Sequence, residues 1–382
     1  MSEWKKVKLG EITIIKTGKL DSNAAVPNGA YPFFTCDPTT LSIDKWAYDT
    51  EAILLAGNNA SGNYTAKYYK GKFNAYQRTY IIETLNPQFA SVRYMAYAMN
   101  QQLQLLKVMS SGSTTKFLTM KMLTQLSIDL PSIETQNRIA TILSRYDSLI
   151  ENYQKQIKLL EEAAQRLYKE WFVDLHFPGH ENTKIVDGVP EGWEKKCIAE
   201  LGSVITGKTP STSKRENYGG SIPFITIPDM HTGIFPVSSQ FLSDIGANSQ
   251  KGKFIPADSL MVSCIGTAGL VCISSRPCQT NQQINSLVLH DKRFLYFLYY
   301  AFLMLKEHLN NIGSNGATMT NVNKSKFESI SLLIPTGNLI SSYNDKAKPY
   351  FKNIRQLSSQ IRLLTEARDR LLPKLMSGEI AV

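Results

Sequence analysis

Two segments of the chain place apolar residues alternately four and three positions apart. In the first segment these positions are Ile139, Leu143, Tyr146, Ile150, Tyr153, Ile157, Leu160, Ala164, Leu167 and Trp171. The spacing returns 204 residues later, with Arg368 as the one departure, at Tyr343, Ala347, Tyr350, Ile354, Leu357, Ile361, Leu364, Arg368, Leu371 and Leu375. A repeat that averages 3.5 residues is the period of a coiled coil. We therefore predict two long helices that pair along these seams; the alternative is two amphipathic helices, each packed only on its own domain.

The stretch before each helix has the pattern of mixed α and β structure. Short β-rich runs at 52–55, 79–82, 222–227 and 286–289 are separated by Gly, Asn and Pro turns, and helical patches lie near 89–108 and 292–311. Each copy is therefore predicted to hold a mixed domain followed by a helix.

The whole chain is a tandem repeat. Trp4 and Thr17-Gly18-Lys19 recur 189 residues later as Trp193 and Thr206-Gly207-Lys208. From residue 114 onward a second fixed offset, 204 residues, relates the two copies to the end of the helical seams. Offsets that hold over so many positions indicate a duplicated unit.

The repeat predicts the architecture. The first helix leads away from the first domain and into the second, so a second helix that pairs with it must run antiparallel. We expect an α+β fold with two similar domains separated by two long antiparallel coiled-coil helices, related by a pseudo-two-fold axis. The predicted boundaries are 1–131 and 177–336 for the domains, 132–176 for the first helix, and 337–382 for the second helix with its tail. Pro349 is expected to kink or begin the second helix, and Pro373 to end it.

Composition points to an anionic partner. The chain carries 42 basic and 32 acidic residues, a net charge of +10, which favours nucleic acid. Its five cysteines form no CxxC pair, and Pro178 prevents a helical pairing of His176 with His180, so we expect no metal site and no cofactor. The reduced thiols, together with the absence of a signal-like N-terminus or a membrane-length apolar run, predict a cytoplasmic protein without a membrane partner.

Two motifs suggest an enzyme and are disfavoured by their context. Residues 202–209 satisfy G-x₄-G-K-[ST], but Val204 and Ile205 favour extended structure, and no helical periodicity follows the lysine. Residues 86–89 resemble the Asn-Pro-Pro-aromatic motif of adenine methyltransferases, but Gln88 replaces the second proline, and a turn before a helix fits better. We expect no catalytic residues; a P-loop NTPase or another DNA-modifying enzyme remains the alternative, and a coiled-coil scaffold is a third.

Glycine-rich polar loops recur in both domains and suit hydrogen bonding to DNA. Base edges accept and donate bonds to amides, hydroxyls and basic side chains, and phosphates attract lysine and arginine. Aligning Gly62 with Gly269 places Gln77 near Gln283. The predicted DNA-binding residues are Lys19, Asn58, Asn59, Asn63, Tyr64, Lys67, Gln77, Arg78, Thr115, Lys116, Lys208, Ser211, Lys214, Arg215, Thr267, Asn281, Gln282, Gln283, Asn285, Asn315 and Thr318.

These features together resemble a known family. The opening Trp-x₄-Leu-Gly-Glu-Ile from Trp4 to Ile12, the stretch 201–210, the two long helices and the closing segment 371–380 look like the specificity (S) subunit of type I restriction-modification systems. The resemblance implies a non-catalytic subunit with two target recognition domains that reads a bipartite double-stranded DNA target. It also implies that the helices dock methyltransferase (M) subunits and that a restriction (R) subunit joins the complex for cleavage.

Overall fold

A computed structural model describes residues 4–59, 64–109, 116–314 and 320–382. The chain divides into two compact units, Met1–Glu151 with Arg362–Val382, and Asn152–Ile361. Unit 1 therefore contains the first mixed domain, the start of the first long helix and the end of the second. Unit 2 contains the remainder of both helices and the second mixed domain.

Unit 1 holds a six-stranded sheet and two separate strand pairs. Its strands are β1 Lys5–Lys8, β2 Thr13–Thr17, β3 Tyr31–Phe34, β4 Leu41–Ile43, β5 Tyr48–Ala56, β6 Asn58–Asn59, β7 Ala66–Ala75, β8 Thr79–Thr84, β9 Lys116–Phe117 and β10 Ser127–Leu130. Its helices are α1 Leu9–Ile12, α2 Val92–Met109 and α3 Met120–Gln125, and the long helix α4, Ile133–Tyr168, begins here. The sheet order is β2-β8-β5-β7-β3-β4, while β1 pairs with β10 and β6 with β9.

Unit 2 repeats the main strands of this arrangement with one of them interrupted, and it adds a hairpin and further short helices. Its strands are β11 Ile185–Val186, β12 Val189–Pro190, β13 Glu194–Cys197, β14 Gly202–Thr206, β15 Tyr218–Ile225, β16 Gln240–Leu242, β17 Leu260–Ser263, β18 Val271–Ile273, β19 Gln279–Thr280, β20 Ile284–Leu289 and β21 Ser331–Ile334. Its helices are α5 Ile198–Leu201, α6 Ile227–Met230, α7 Asp244–Asn248, α8 Leu295–Met304, α9 Lys306–Ser314 and α10 Lys324–Glu328, and the second long helix, α11 Gly337–Met376, begins here.

The interruption falls in the strand equivalent to β7. Unit 2 has two sheets, β14-β20-β17-β18 and β16-β15-β19, in place of the single sheet of unit 1. In unit 1, strand β7 pairs antiparallel with β5 and parallel with β3. In unit 2, two strands share these pairings: β18 pairs antiparallel with β17, and β19 pairs parallel with β15. Pro277 lies between β18 and β19 and has no N–H for a ladder bond, which is consistent with a break at this place.

The predicted elements are confirmed, with small corrections. All four β-rich runs lie in strands, except that Thr226 and Ile227, at the end of one run, cap and begin helix α6. Residues 87–89 form the predicted turn before α2, with the amide of Gln88 donating to Asn86 Oδ1 at 2.9 Å. None of the helices in the described ranges is long and apolar enough to cross a membrane.

The long helices form as the seam predicts, but the two prolines were misassigned. Helix α4 has 36 residues and continues into a five-residue π-helical turn, Lys169–Val173. Helix α11 has 40 residues, so Pro349 lies inside it and neither begins it nor interrupts it. Pro373 does not end the helix, which closes at Met376, followed by Gly378 with a φ of +74°. The left-handed conformation that glycine adopts readily there explains the end better than the proline does.

Within each unit the seams of the two helices meet in antiparallel order. In unit 1, Ile139 and Leu143 near the start of α4 share a buried cluster with Leu375 near the end of α11. In unit 2, Tyr168 near the end of α4 contacts Tyr343 near the start of α11, with ring centroids 6.4 Å apart. The coiled-coil interpretation is therefore favoured over two helices that pack only on their own domains.

Candidate nucleic-acid interface

Backbone hydrogen bonds show which residues of the two mixed domains are equivalent. In unit 1 the amide of Gly57 donates to the carbonyl of Arg78 at 2.7 Å, and in unit 2 the amide of Cys264 donates to the carbonyl of Gln283 at 2.8 Å. The flanking ladders agree, because Thr17 pairs with Tyr80 as Thr206 pairs with Asn285. Arg78 and Gln283 therefore occupy equivalent positions.

This register corrects the alignment made on the loop glycines. The sequence comparison placed Gln77 near Gln283, but in the structure Gln77 is equivalent to Gln282. Because Gly62 lies outside the described residues, the equivalence of the two units is taken from the strand ladders. The predicted pairing of glutamines is retained, one residue away from the expected match.

The repeated Thr-Gly-Lys segment lies against the glutamine-bearing segment in each unit. A Cβ added at Gly18 would come within 2.1 Å of the carbonyl oxygen of Ala75, and one at Gly207 within 2.2 Å of the carbonyl oxygen of Asn281. Both distances are far below any van der Waals contact, so only glycine allows the two backbones to approach this closely. The amide of Gln77 then donates to the carbonyl of Leu20 at 2.8 Å.

This contact brings basic and amide side chains together at one surface of each unit. In unit 1, Lys19, Gln77 and Arg78 are exposed. In unit 2, Lys208 and Gln282 are exposed, and the amide of Lys208 donates to the carbonyl of Thr280 at 2.9 Å. We call these two sets the unit 1 surface and the unit 2 surface.

Side-chain bonds organise the unit 2 surface further. Thr209 Oγ1 donates to Gln282 Oε1 at 2.6 Å. Asn281 Nδ2 donates to Gln283 Oε1 at 3.0 Å, and Gln283 Nε2 donates to the carbonyl of Ile265 at 3.4 Å. Both glutamines are thus held by bonds to neighbouring residues, and Gln282 remains exposed. Thr209 was missed by the sequence reasoning, although its place directly after the repeated Thr-Gly-Lys segment could have indicated it.

Several predicted residues are placed elsewhere in the two units. Asn58 lies half-buried in β6, and Thr267 is exposed beside the Gly266 turn. Asn59 and Lys116 are paired through their backbones in β6 and β9. Ser211, Lys214 and Arg215 are exposed after the Thr-Gly-Lys segment, and Tyr64 is half-buried. The predictions for four positions lie outside the described residues: Asn63, Thr115, Asn315 and Thr318.

One predicted contact is corrected by its surroundings, and a second predicted side chain is bonded within its own unit. Asn285 is only 2% exposed, and it accepts from Thr206 Oγ1 at 2.6 Å and donates to the carbonyl of Val322 at 3.2 Å. The equivalent residue of unit 1, Tyr80, donates in the same way to the carbonyl of Leu118. In both units this side chain therefore bonds to the backbone of a neighbouring segment and is not available to DNA. The ammonium of Lys67 donates to the carbonyl of Pro38 at 2.5 Å, and burial lowers its pKa although Asp37 opposes this.

The residues that suggested an enzyme have structural roles instead. Residues 202–206 of the P-loop-like motif form strand β14, which pairs with β20, so they cannot wrap a phosphate. Burial raises the pKa of Cys264, Cys272 and Cys278 to about 12, so these thiols stay protonated at neutral pH. The described residues contain no cluster of three or more His, Cys, Asp or Glu side chains suited to a metal ion.

Comparison with known proteins identifies the fold. The chain matches the type I restriction modification DNA specificity domain over residues 1–162 and 190–338. It is 29% identical to the type I restriction enzyme HindI specificity subunit of Haemophilus influenzae over 100% of both chains. It is 30% identical to the type I restriction enzyme MjaIX specificity subunit of Methanocaldococcus jannaschii over 76% of this chain and 68% of that protein. A solved type I restriction-modification S subunit from M. genitalium superposes with a TM-score of 0.66 and 18% identity, covering 98% of this chain and 96% of that one.

These matches define a DNA-specificity protein with a duplicated recognition domain. The chain belongs to the family of type I restriction-modification specificity subunits. It is a DNA-recognition subunit and not a catalytic one, in a family of specificity subunits of type I restriction enzymes. The resemblance found in the sequence is thereby confirmed, and the NTPase alternative finds no support.

Proposed function

We propose that the chain reads a bipartite DNA target, with the unit 1 surface contacting one half-site and the unit 2 surface the other. The observation that carries this proposal is the duplication of the surface itself: in both units a glycine contact joins an exposed lysine to an exposed glutamine. Exposed amides suit base edges, and exposed lysines suit phosphates. A surface that recurs in two domains with few identical residues is best explained by a shared ligand of varying sequence.

The contact set is centred on the equivalent positions. It comprises Lys19, Gln77 and Arg78 in unit 1 and Lys208, Gln282 and Gln283 in unit 2, with the neighbouring exposed polar residues around them. Recognition domains at 1–131 and 177–336, with helices at 132–176 and 337–382, divide this function along the chain. The assembled complex works in the cytoplasm.

The glutamine positions should each affect one half-site. Replacing Gln77 with alanine should weaken discrimination in the first half-site, and replacing Gln282 should weaken it in the second, by about 1–3 kcal/mol for a lost direct base contact. Binding of the S–M complex to duplexes with substitutions in one half at a time measures this. Gln240, an exposed glutamine on strand β16, provides the matched control. Loss of discrimination in both halves from one substitution would contradict the modular proposal.

The two lysines should act without regard to sequence. Replacing Lys19 or Lys208 with alanine removes one positive charge near the phosphates, so affinity should fall by a similar factor for every duplex. The slope of log affinity against log salt should become shallower by about 0.9 per lost contact. Lys184, exposed on the β11–β12 hairpin, should leave the slope unchanged when replaced. An unchanged slope for both Lys19→Ala and Lys208→Ala would remove the lysines from the phosphate contacts.

The helix pair offers a surface for the M subunits. Large apolar side chains remain exposed along both helices, with Leu149 at 44%, Leu159 at 65% and Leu363 at 54%. In unit 2, Leu159 lines one groove together with Leu160 and Leu357, and contiguous exposed apolar side chains of this kind mark protein interfaces. This groove supports docking of M subunits on the helices, and the R subunit would join through that assembly.

A further inference from the structure

The one charged residue in the helical seams has a specific partner. Arg368 Nη1 on α11 donates to Asp147 Oδ1 on α4 at 2.7 Å, and both residues belong to unit 1. The two side chains are 28% and 39% exposed, so the pair is partly withdrawn from solvent. Arg368 also contacts Asp369, its neighbour on the same helix, at 2.8 Å.

A third residue holds the carboxylate in place. The hydroxyl of Tyr97, on helix α2 of the recognition domain, donates a short hydrogen bond to Asp147 Oδ2. Burial, followed by the bond to Asp147, raises the pKa of Tyr97 well above its usual value, so the phenol remains a donor. Asp147 is therefore fixed on one side by its own repeat and neutralised on the other by a cation from the second repeat.

The pair is not repeated at the equivalent place in unit 2. The 204-residue offset matches Arg368 with Ala164 and Asp147 with Phe351. Both of these residues are 0% exposed and belong to one hydrophobic cluster of unit 2. The contact between the two helices at these positions is thus ionic in unit 1, whereas the equivalent positions in unit 2 are apolar.

We propose that this asymmetry selects the helix partner: the first-repeat helix accepts the second-repeat helix and disfavours another copy of itself. If two first-repeat helices paired in the same register, each Asp147 would face Ala164 and lose its cation. If two second-repeat helices paired, each Arg368 would face Phe351 and lose its carboxylate. Removing one partner of a partly desolvated ion pair costs free energy, whereas the mixed pairing satisfies both charges. The device keeps two different recognition domains together.

The test uses the full chain, cut after folding. A protease site replaces the exposed turn Asp187–Gly188 of the β11–β12 hairpin, and two preparations carry different tags on the first half. The cut preparations are mixed in denaturant, refolded together and purified through one tag. In the wild-type sequence the purified first halves should carry second halves and almost none of the other tag.

Two variants and a control make the outcome decisive. Arg368→Met keeps the side-chain length but removes the charge, so pairs of first halves with different tags should rise about tenfold. Asp147→Asn retains an oxygen for Tyr97 and should raise them similarly, and it decides the matter if Arg368→Met fails to refold. Arg362→Met is the matched control, because Arg362 pairs along its own helix with Glu366 at 2.7 Å. Wild-type first halves that pair with one another as readily as either variant would overturn the proposal.

Discussion

Lengthening both long helices by seven residues should widen the gap between the two half-sites without changing the bases read in either. The insertions belong after Gln156 in α4 and after Gln360 in α11. These two regions of the helices lie near each other in unit 2, where Gln156 and Gln356 line one groove. Seven residues preserve the heptad seam and add about 10 Å of helix at 1.5 Å each, which corresponds to at most about three base pairs of DNA. Sequencing methylated adenines in cells that carry the variant and its M subunit would reveal the new gap.

Shorter insertions provide the control for this result. Two extra residues in each helix turn the following seam by about 200°, so apolar positions would face solvent and the pair would be destabilised. We expect the two-residue variant to lose methylation in both halves. An active seven-residue variant with an unchanged gap would show that the helices do not set the spacing.

Replacing Gly207 with alanine should abolish recognition of the second half-site and leave the first intact. The new Cβ would lie 2.2 Å from both the carbonyl oxygen of Asn281 and Thr280 Oγ1, so the Gln282 segment must move away from Lys208. Overpacking of this kind costs about 1–3 kcal/mol or more, and here it also displaces the proposed contacts. Gly18→Ala should produce the mirror-image loss in the first half-site, because its Cβ would meet Ala75 in the same way.

Gly252→Ala controls for the loss of a glycine in the same unit, since a Cβ there has no neighbour within 4 Å. Binding of the S–M complex to duplexes with either half scrambled distinguishes the variants, and thermal unfolding shows whether the unit remains folded. Full discrimination of the second half-site by Gly207→Ala would remove this glycine contact from the recognition surface.

The two long helices and the duplication could be predicted from the sequence because both are recorded in local spacing. Every seam position from Ile139 to Trp171 is at least partly buried, since a heptad pattern places its apolar side chains on one stripe whatever the rest of the chain does. The repeated Thr-Gly-Lys segments were recognisable for a similar reason: a backbone approach that admits no Cβ leaves a glycine in both copies. The end of the second helix was predicted wrongly: Pro373 lies inside α11, which ends at Met376, shortly before Gly378 with its positive φ.

What required the tertiary structure was the pairing of residues far apart in the chain. Strand ladders fixed the equivalence of Gln77 with Gln282, which glycine-rich loops could not settle, and they showed that β7 corresponds to two separate strands in unit 2. Asn285 carries the same amide as Gln282, yet Asn285 is buried within strand β20 whereas Gln282 is exposed in the turn before that strand. Composition and spacing identify polar residues suited to DNA, but only long-range packing determines which of them solvent, and therefore DNA, can reach.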